Sequence, residues 1–155
     1  MAIKDNIDVA GCRTYASCRA YGELYGIVTK SSPAAQKLLE LGAIIVGKTG
    51  MSEFADAEAP TGDFIDFHAP FNPRGDGSRT PGGSSFGSGA AAGAYDWIDF
   101  TLGTDSMTPA PPLYNLLTDV LAGGSVRQPA AHQSVFGLRP SRGQMSVEGT
   151  VVIHR

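Results

Sequence analysis

Residues 103–106 of this chain read G-T-D-S, and residues 123–130 read G-G-S-V-R-Q-P-A. The sixteen residues 107–122 separate these segments and read M-T-P-A-P-P-L-Y-N-L-L-T-D-V-L-A. Without them the flanks join into one glycine-rich loop, G-T-D-S-G-G-S-V-R-Q-P-A. Glycines directly before a serine free backbone N–H groups to face a carbonyl oxygen, as an oxyanion hole beside a serine nucleophile requires. The sequence therefore predicts nucleophilic chemistry and an insertion within its site.

Two further motifs precede this loop. Residues 3–6 read I-K-D-N and residues 81–85 read P-G-G-S-S, while residues 136–143 continue the pattern downstream as F-G-L-R-P-S-R-G. Each piece alone is common, whereas the ordered set is rare. On these motifs the chain resembles the amidase signature family over nearly all of its length. Amidase signature domains are much longer, so the resemblance implies that residues 1–155 are a partial amidase domain, from a fragment or a truncated gene model.

The resemblance also implies a chemistry. Members of the family hydrolyse carboxylic amides to an acid and an amine or ammonia with a Ser-Ser-Lys triad. By this resemblance Ser125 is the nucleophile that forms an acyl-enzyme. Ser84, held by a cis peptide in the family, relays the proton, and Lys4 is the terminal base. The implied substrate is a small-molecule amide, and no metal or organic cofactor is needed.

The same resemblance assigns residues around the nucleophile. The expected oxyanion and substrate-binding residues are Ser106, Gly123 and Gly124, and the expected supporting residues are Ser85, Asp105 and Arg127. Asp105 and Arg127 are expected to orient the loop, an arrangement with which an ordinary ion pair is also compatible.

A lysine can act as this base only if its pKa is lowered. The ordinary lysine pKa of about 10.4 leaves the amine protonated at neutral pH, and burial disfavours the ammonium form. Residues 2–9 read A-I-K-D-N-I-D-V, an alternating pattern that favours a strand with Lys4 pointing inward. Gly82 and Gly83 allow a strained backbone at Ser84 that a β-carbon would forbid. We therefore expect a buried lysine beside a glycine-supported serine.

Composition limits the class of protein. The chain has 155 residues, of which 42% are apolar and 17% charged, as in a globular domain with a real core. The net charge of −3 is spread among both signs, so no nucleic-acid partner is expected, and no apolar run approaches the ~20 residues of a membrane helix. Cys12 and Cys18 are expected to be free thiols in a reducing compartment. With no signal-peptide core at the N-terminus, we expect a cytoplasmic protein whose oligomeric state is open.

Local patterns predict an α/β fold, a mixed sheet flanked by helices. Ser32 as cap, Pro33 in the first turn and Gly42 beyond the end predict a helix over residues 33–41. Its expected apolar face is Ala35, Leu38 and Leu39. The other expected elements are a fully buried strand at 43–46, a surface loop at 57–85, a closely packed helix at 88–95, and strands at 97–102 and 134–138.

Two other motifs match known patterns but lack the context that these need. Residues 42–49 fit the phosphate-binding P-loop spacing, but a helix precedes them and the supposed loop is apolar. Residues 83–87 fit the G-x-S-x-G elbow with Ser85 as nucleophile, and with His132 or His154 as base and Asp105 or Asp119 as its partner. That elbow should follow a strand, whereas a loop is expected here. Both interpretations are minor alternatives.

Residues 107–122 allow two interpretations. Leu113, Leu116, Leu117, Val120 and Leu121 follow helical spacing, which predicts an amphipathic helix that docks a partner or a lid. The alternative is a translated intron that begins within an AGT codon for Ser106 and ends within the codon of Ala122. Removing it keeps the reading frame and restores G-T-D-T-G-G-S-V-R. This hypothesis fails if the gene lacks AGT at codon 106 or AG across codons 121 and 122.

Under either interpretation, residues 107–122 interrupt the oxyanion loop of this chain. Closing a loop of this length costs little entropy, so the fold can survive it. The loss of one oxyanion donor, however, lowers a rate by about 10²–10³. The lineage is therefore expected to hydrolyse amides, and this chain is expected to be weak or inactive. The alternative function is a non-catalytic pseudoenzyme that binds an amide-like ligand or a partner protein.

Overall fold

A three-stranded parallel sheet lies at the centre of the fold. The structure, a computed structural model, describes residues 1–56, 65–105, 124–141 and 143–151. The strands are β1 (Ala2–Lys4), β2 (Gly47–Thr49) and β3 (Thr101–Leu102), in the spatial order β2-β1-β3. β1 is paired on both edges, because Ala2 is in register with Gly47 on one side and with Thr101 on the other. This places Lys4 at the carboxyl end of the central strand.

Helices surround this sheet and confirm the α/β fold class. Within the described residues they are α1 (Arg19–Tyr25), α2 (Pro33–Glu40), a 3-10 helix (Glu53–Ala55), α3 (Phe86–Ala94) and α4 (Arg127–His132). α3 packs against all three strands. Two isolated antiparallel bridges, Ile7 with Thr150 and Arg13 with Ile27, add to the parallel pairing.

α2 forms where its capping residues predict a helix. The Ser32 side chain accepts a hydrogen bond from the Ala35 N–H at 3.2 Å, and Pro33 occupies the first turn. Beyond the end of α2, Gly42 has φ of +90°, a conformation that glycine adopts without strain. The predicted apolar face is only partly correct. Ala35 is buried and Leu38 packs against the core, but Leu39 turns outward and is exposed.

α3 confirms the expected small-residue helix, although it starts at Phe86 instead of residue 88. Its second residue, Gly87, donates its N–H to Gly50 O at 3.1 Å. A Cβ at residue 87 would lie 2.5 Å from the Gly50 nitrogen, so only glycine allows the helix to approach β2 this closely. α3 is consequently held directly over the end of the sheet that carries Lys4.

The prediction of a strand at residues 43–46 is wrong, because the strand begins directly after these residues. The strand is Gly47–Thr49, and residues 43–46 lead into it in an irregular conformation. They are not covered on both faces, because Ala43 and Ile45 pack against the core whereas Ile44 is 76% exposed. Val46 nevertheless donates its N–H to Met1 O at 2.9 Å. An apolar run of this kind does not distinguish one-sided from two-sided burial.

Three further expectations are corrected. Residues 97–102 contribute only the two-residue strand β3, and Trp97 is exposed. Residues 134–138 form no strand, and Ser134 has φ of +54°, which is incompatible with an extended backbone. The loop expected at 57–85 has neither helix nor strand over residues 65–85, whereas residues 57–64 lie outside the described part. Residues 81–85 are buried instead of lying on the surface, because α4 packs against them.

The main core cluster forms from β1, the residues on either side of it and one residue of α2: Met1, Ile3, Ile7, Val9 and Ala35. Lys48 of β2 ties down the segment that follows β1. Its Nζ donates to Ile7 O at 2.6 Å and lies 3.8 Å from Asp5 Oδ1. The P-loop spacing is thus coincidental, because its Gly47-Lys48-Thr49 is a strand whose lysine is bound within the core.

The cysteines and the length of the helices complete this description. Cys12 and Cys18 are free thiols. No helix among residues 1–56, 65–105, 124–141 and 143–151 is long and apolar enough to cross a membrane.

Replacing Ile3 with alanine should destabilise the fold strongly. The Ile3 side chain is 0% exposed at the centre of the core cluster, and removing such a side chain costs about 2–5 kcal/mol. Urea unfolding of Ile3→Ala measures this loss. Ile44→Ala is the matched control, because the same substitution at an exposed position should change stability by less than about 0.5 kcal/mol. Equal losses at both positions would contradict the described core.

Candidate active site

Lys4 and Ser84 meet at the carboxyl end of β1. Lys4 Nζ donates a hydrogen bond to Ser84 Oγ at 2.7 Å and another to Thr104 O at 3.2 Å. Both side chains are 0% exposed. Desolvation by this burial lowers the pKa of Lys4 from the ordinary 10.5 to about 7, and the negative charge of Asp105 opposes the decrease. At neutral pH the amine therefore exists in both protonation states.

Ser84 lies in a loop whose backbone depends on glycine. The Gly83–Ser84 peptide bond is cis, and Gly82 has φ of +72°. A Cβ at residue 82 would lie 3.1 Å from Pro129 N and 3.1 Å from Pro129 Cα, so the loop can approach α4 this closely only without a side chain. Ser52 N donates to Ser84 O at 3.2 Å and holds the same residue from the other side.

Ser125 is brought against this loop by a backbone contact. Ser85 N donates to Ser125 O at 3.0 Å, and the Ser125 side chain is buried in the turn before α4. The same turn is closed by Gln128 N, which donates to Gly124 O at 2.7 Å. The structure thus places the segments of Lys4, Ser84 and Ser125 next to one another, although they are widely separated in sequence.

Thr104 connects the lysine to the serine loop, a role that its sequence motif did not indicate. Its carbonyl accepts from Lys4 Nζ and, at 3.2 Å, from Ser85 Oγ. Its hydroxyl is hydrogen-bonded to Asn6, whose Nδ2 donates at 3.1 Å and also donates to Val151 O at 2.9 Å. Thr104 directly precedes Asp105, and Asn6 lies two residues after Lys4, each within one of the motifs described above. This proximity is the sequence signal that could have identified them.

Ser85 is placed beside the site and not at the tip of a nucleophile elbow. It is buried, precedes α3, and follows a loop where the elbow would need a strand. Its Oγ is engaged with Thr104 O, and its N–H with Ser125 O. These contacts link the two serine-containing loops.

Asp105 and Arg127 form an ion pair next to the lysine. Arg127 Nε lies 3.6 Å from Asp105 Oδ2, and the Asp105 side chain is almost fully buried while that of Arg127 is half exposed. Burial raises the pKa of Asp105, and the charges of Arg139 and Arg127 partly offset the increase. The negative charge of Asp105 close to Lys4 is therefore partly balanced by the positive charge of Arg127.

Several predicted residues cannot be placed. Ser106, Gly123 and the segment 107–122 lie outside the described residues. Gly124 is described and lies partly buried at the turn that leads to Ser125. No group of three or more His, Cys, Asp or Glu side chains within the described ranges could hold a metal ion.

This chain is similar to a model of one protein family and to individual proteins of known sequence. A family model described as Amidase matches residues 1–154. A glutamyl-tRNA(Gln) amidotransferase subunit of Sulfurisphaera tokodaii is 40% identical over 151 residues, which cover 97% of this chain and 27% of that protein. Amidase 1 of Oryza sativa subsp. japonica is 38% identical over 150 residues, which cover 97% of this chain and 30% of that protein.

Solved structures give the same result. The crystal structure of the glutamyl-tRNA(Gln) amidotransferase subunit from Thermotoga maritima superimposes with a TM-score of 0.78 at 33% identity, over 97% of this chain and 28% of that one. Native peptide amidase from Stenotrophomonas maltophilia gives a TM-score of 0.71 at 28% identity, over 96% and 27%. The chain thus spans 27% to 30% of the length of these relatives.

The buried Lys4 should make folding stability depend on pH in a defined direction. Because its pKa is about 7 when folded and 10.5 when unfolded, the unfolded chain binds more protons between these values. The contribution of Lys4 to stability therefore rises with pH across this window, by at most about 1.4 kcal/mol per pH unit.

Urea unfolding of the wild type and of Lys4→Met from pH 6.5 to 10.5 tests this slope. The difference in stability between the two proteins should grow in favour of the wild type as pH increases. Lys37→Met, at an exposed position of α2, is the control and should keep the wild-type slope. A pH-independent difference between the wild type and Lys4→Met would contradict the lowered pKa.

Proposed function

Since this chain belongs to the amidase family, we propose that it carries a Ser-Ser-Lys triad with Ser125 as nucleophile, Ser84 as proton relay and Lys4 as base. The observation that carries this proposal is the fully buried contact of 2.7 Å between Lys4 Nζ and Ser84 Oγ. A buried amine with a pKa of about 7 is a competent base at neutral pH, whereas an ordinary lysine is not.

The proposed reaction is hydrolysis of a carboxylic amide. The neutral Lys4 amine accepts the Ser84 proton along their contact, while Ser84 takes the proton of the Ser125 hydroxyl. The Ser125 oxygen then attacks the amide carbonyl. Collapse of the tetrahedral intermediate releases the amine, which receives the proton by the reverse path, and leaves an acyl-enzyme. Water, activated by the same relay, releases the acid and regenerates Ser125.

The remaining assignments follow the same scheme. We assign the oxyanion hole to the backbone amides from Ser106 through Gly123 and Gly124 to Ser125. The ion pair of Asp105 and Arg127 supports an orienting role for these residues, because it joins the two ends of the loop that carries the amides. The contacts of Ser85 with Thr104 and Ser125 support a structural role for that serine.

The substrate is proposed only as a class. The relatives are named as an amidase, a peptide amidase and one subunit of an amidotransferase, and the chain spans 27% to 30% of their length. These names share reactions of the amide group, and within that class we propose a small-molecule amide as the substrate. The free thiols of Cys12 and Cys18 support a reducing, cytoplasmic location.

We further propose that residues 107–122 impair catalysis in this chain. They separate Ser106 from Gly123, and oxyanion donors must be held within about 0.5 Å of their working positions. The same position of the insert favours one second candidate, a non-catalytic amidase-like protein that binds an amide-like ligand or a partner. Whether the segment is a docking helix or a translated intron is a separate question. The mature transcript decides it, because an intron requires a message that encodes G-T-D-T-G-G-S.

Removing the insert should restore reactivity at Ser125. In a variant that lacks residues 107–122 and carries Ser106→Thr, the rate of Ser125 labelling by a fluorophosphonate should exceed that of the unaltered chain by about 10²–10³, the contribution of one oxyanion donor. Labelling is measured over time by mass spectrometry, with Ser125→Ala as the unlabelled control. Rapid labelling of the unaltered chain would refute the proposed impairment.

The triad is tested in the same insert-free variant. Ser84→Ala or Lys4→Met should each lower the labelling rate by about 10²–10⁴, the usual contribution of general-base catalysis. With the triad intact, the rate should rise as pH increases through about 7, because deprotonation of Lys4 creates the base. Ser88→Ala provides a matched control, since this buried serine of α3 bonds to Thr49 and not to Lys4. Labelling that does not depend on Lys4 and Ser84 would refute the triad.

A further inference from the structure

Gln133, directly after α4, is a fully buried side chain whose amide bonds to the loop of Ser84. The residue is 0% exposed. Its Nε2 donates to Pro81 O at 2.9 Å and to Phe86 O at 3.1 Å. Both partners are carbonyl oxygens, which can only accept, so the nitrogen of the amide must face them.

These two carbonyls lie on either side of Ser84. Pro81 precedes it by three residues and Phe86 follows it by two, so a single amide group joins the entry of the loop to its exit. Within this span, Gly83 N donates to Gln128 Oε1 at 3.4 Å, a longer contact than either bond from Gln133. Gln133 therefore closes the loop that carries Ser84.

The surrounding backbone holds the glutamine in place. Arg74 Nε donates to Gln133 O at 3.0 Å, and Asn72 Nδ2 donates to His132 O at 2.9 Å. On the facing helix α3, residue 89 is glycine, and a Cβ there would lie 2.5 Å from Gln133 Nε2. Helix α3 and the end of α4 thus leave a space between them that fits the side-chain amide of Gln133.

The side-chain oxygen of Gln133, which can only accept hydrogen bonds, makes no comparable contact. Gln133 Oε1 is buried and makes no hydrogen bond with the described residues. An apolar side chain of the same shape would leave the Pro81 and Phe86 carbonyls without these donors, and an unsatisfied buried acceptor is unfavourable. The two donors therefore define what this side chain does.

We propose that Gln133 is a positioning residue that holds Ser84 Oγ against Lys4 Nζ. The inference rests on the proposed Ser-Ser-Lys triad and adds a residue that acts on it from α4. Without the two donors the ends of the loop separate, Ser84 moves away from the amine, and water reaches Lys4. The pKa of Lys4 then rises toward its ordinary value. The negative charge of Asp105 acts in the same direction, because it also raises this pKa.

Two variants of the full chain test this role. Gln133→Met keeps the approximate volume and removes both donors. Gly89→Ala keeps the glutamine but places a methyl group where its amide lies. In each variant the titration midpoint of Lys4, followed by NMR of isotope-labelled lysine, should rise by about one pH unit or more. Gly89→Ala also provides an answer if Gln133→Met does not fold.

Two controls separate positioning from stability. Gly93→Ala makes the same substitution one turn later in α3, where a Cβ would meet Pro73 Cγ at 3.1 Å and the backbone oxygen of Gln133 at 3.5 Å, but not its side-chain amide. Ser32→Ala removes the cap of α2, far from the site in sequence. Both can lower the unfolding temperature but should leave the Lys4 midpoint at its wild-type value.

The outcomes distinguish this inference from the proposed function. A wild-type midpoint near 7 that stays unchanged in both Gln133→Met and Gly89→Ala, with only a lower unfolding temperature, overturns the positioning role and leaves the triad intact. A wild-type midpoint near 10.5 overturns the triad as well, because there is then no buried neutral amine for Gln133 to maintain.

Discussion

The burial of the Lys4 amine is the constraint on which the rest of the structure depends. An ammonium group in the interior is strongly unfavourable, so the fold must supply acceptors for it or allow it to lose its proton. Both happen here, since Nζ bonds to Ser84 Oγ and Thr104 O and the pKa falls to about 7. The position of Lys4 at the end of a strand paired on both edges makes this possible, because the strand cannot turn its side chain toward solvent without losing its register.

Holding the acceptors in place requires segments that are distant in sequence. Ser84 and Thr104 lie 80 and 100 residues from Lys4, and each belongs to a loop and not to a regular element. The loops are fixed by close backbone approaches at glycine, such as Gly82 against Pro129 and Gly87 against Gly50. They are also fixed by side chains that bond to backbone carbonyls, as Asn6 and Gln133 do. The glycines of the serine motif therefore serve packing between elements as much as local backbone conformation.

Elements that depend on neighbouring residues could be predicted from the sequence, whereas elements and contacts that depend on distant residues could not. α2 could be predicted because Ser32, Pro33 and Gly42 act within one helical turn of its ends. The order of the motifs grouped Lys4, Ser84 and Ser125, and the structure brings the segments of these residues together. The strand at Gly47–Thr49 was missed because the apolar run before it resembles a strand, and the pairing that decides the matter involves β1. Gln133 was missed because its partners, Pro81 and Phe86, lie about fifty residues away and are backbone groups with no sequence signature.

The contacts on either side of residues 107–122 separate two effects that an insertion here could have. Before it, Thr104 is held by Lys4, Ser85 and Asn6. After it, Ser125 O accepts from Ser85 N, and Gly124 O from Gln128 N. Lys4 and Ser84, the proposed base and relay, are thus held by residues that the insertion does not interrupt, and Arg127 reaches Asp105 across it. If the proposed oxyanion hole lies between these two anchored ends, we expect the insertion to act on its backbone amides and to leave the protonation of Lys4 unaltered. Under the proposed function, its expected effect is therefore on stabilisation of the oxyanion and not on generation of the base.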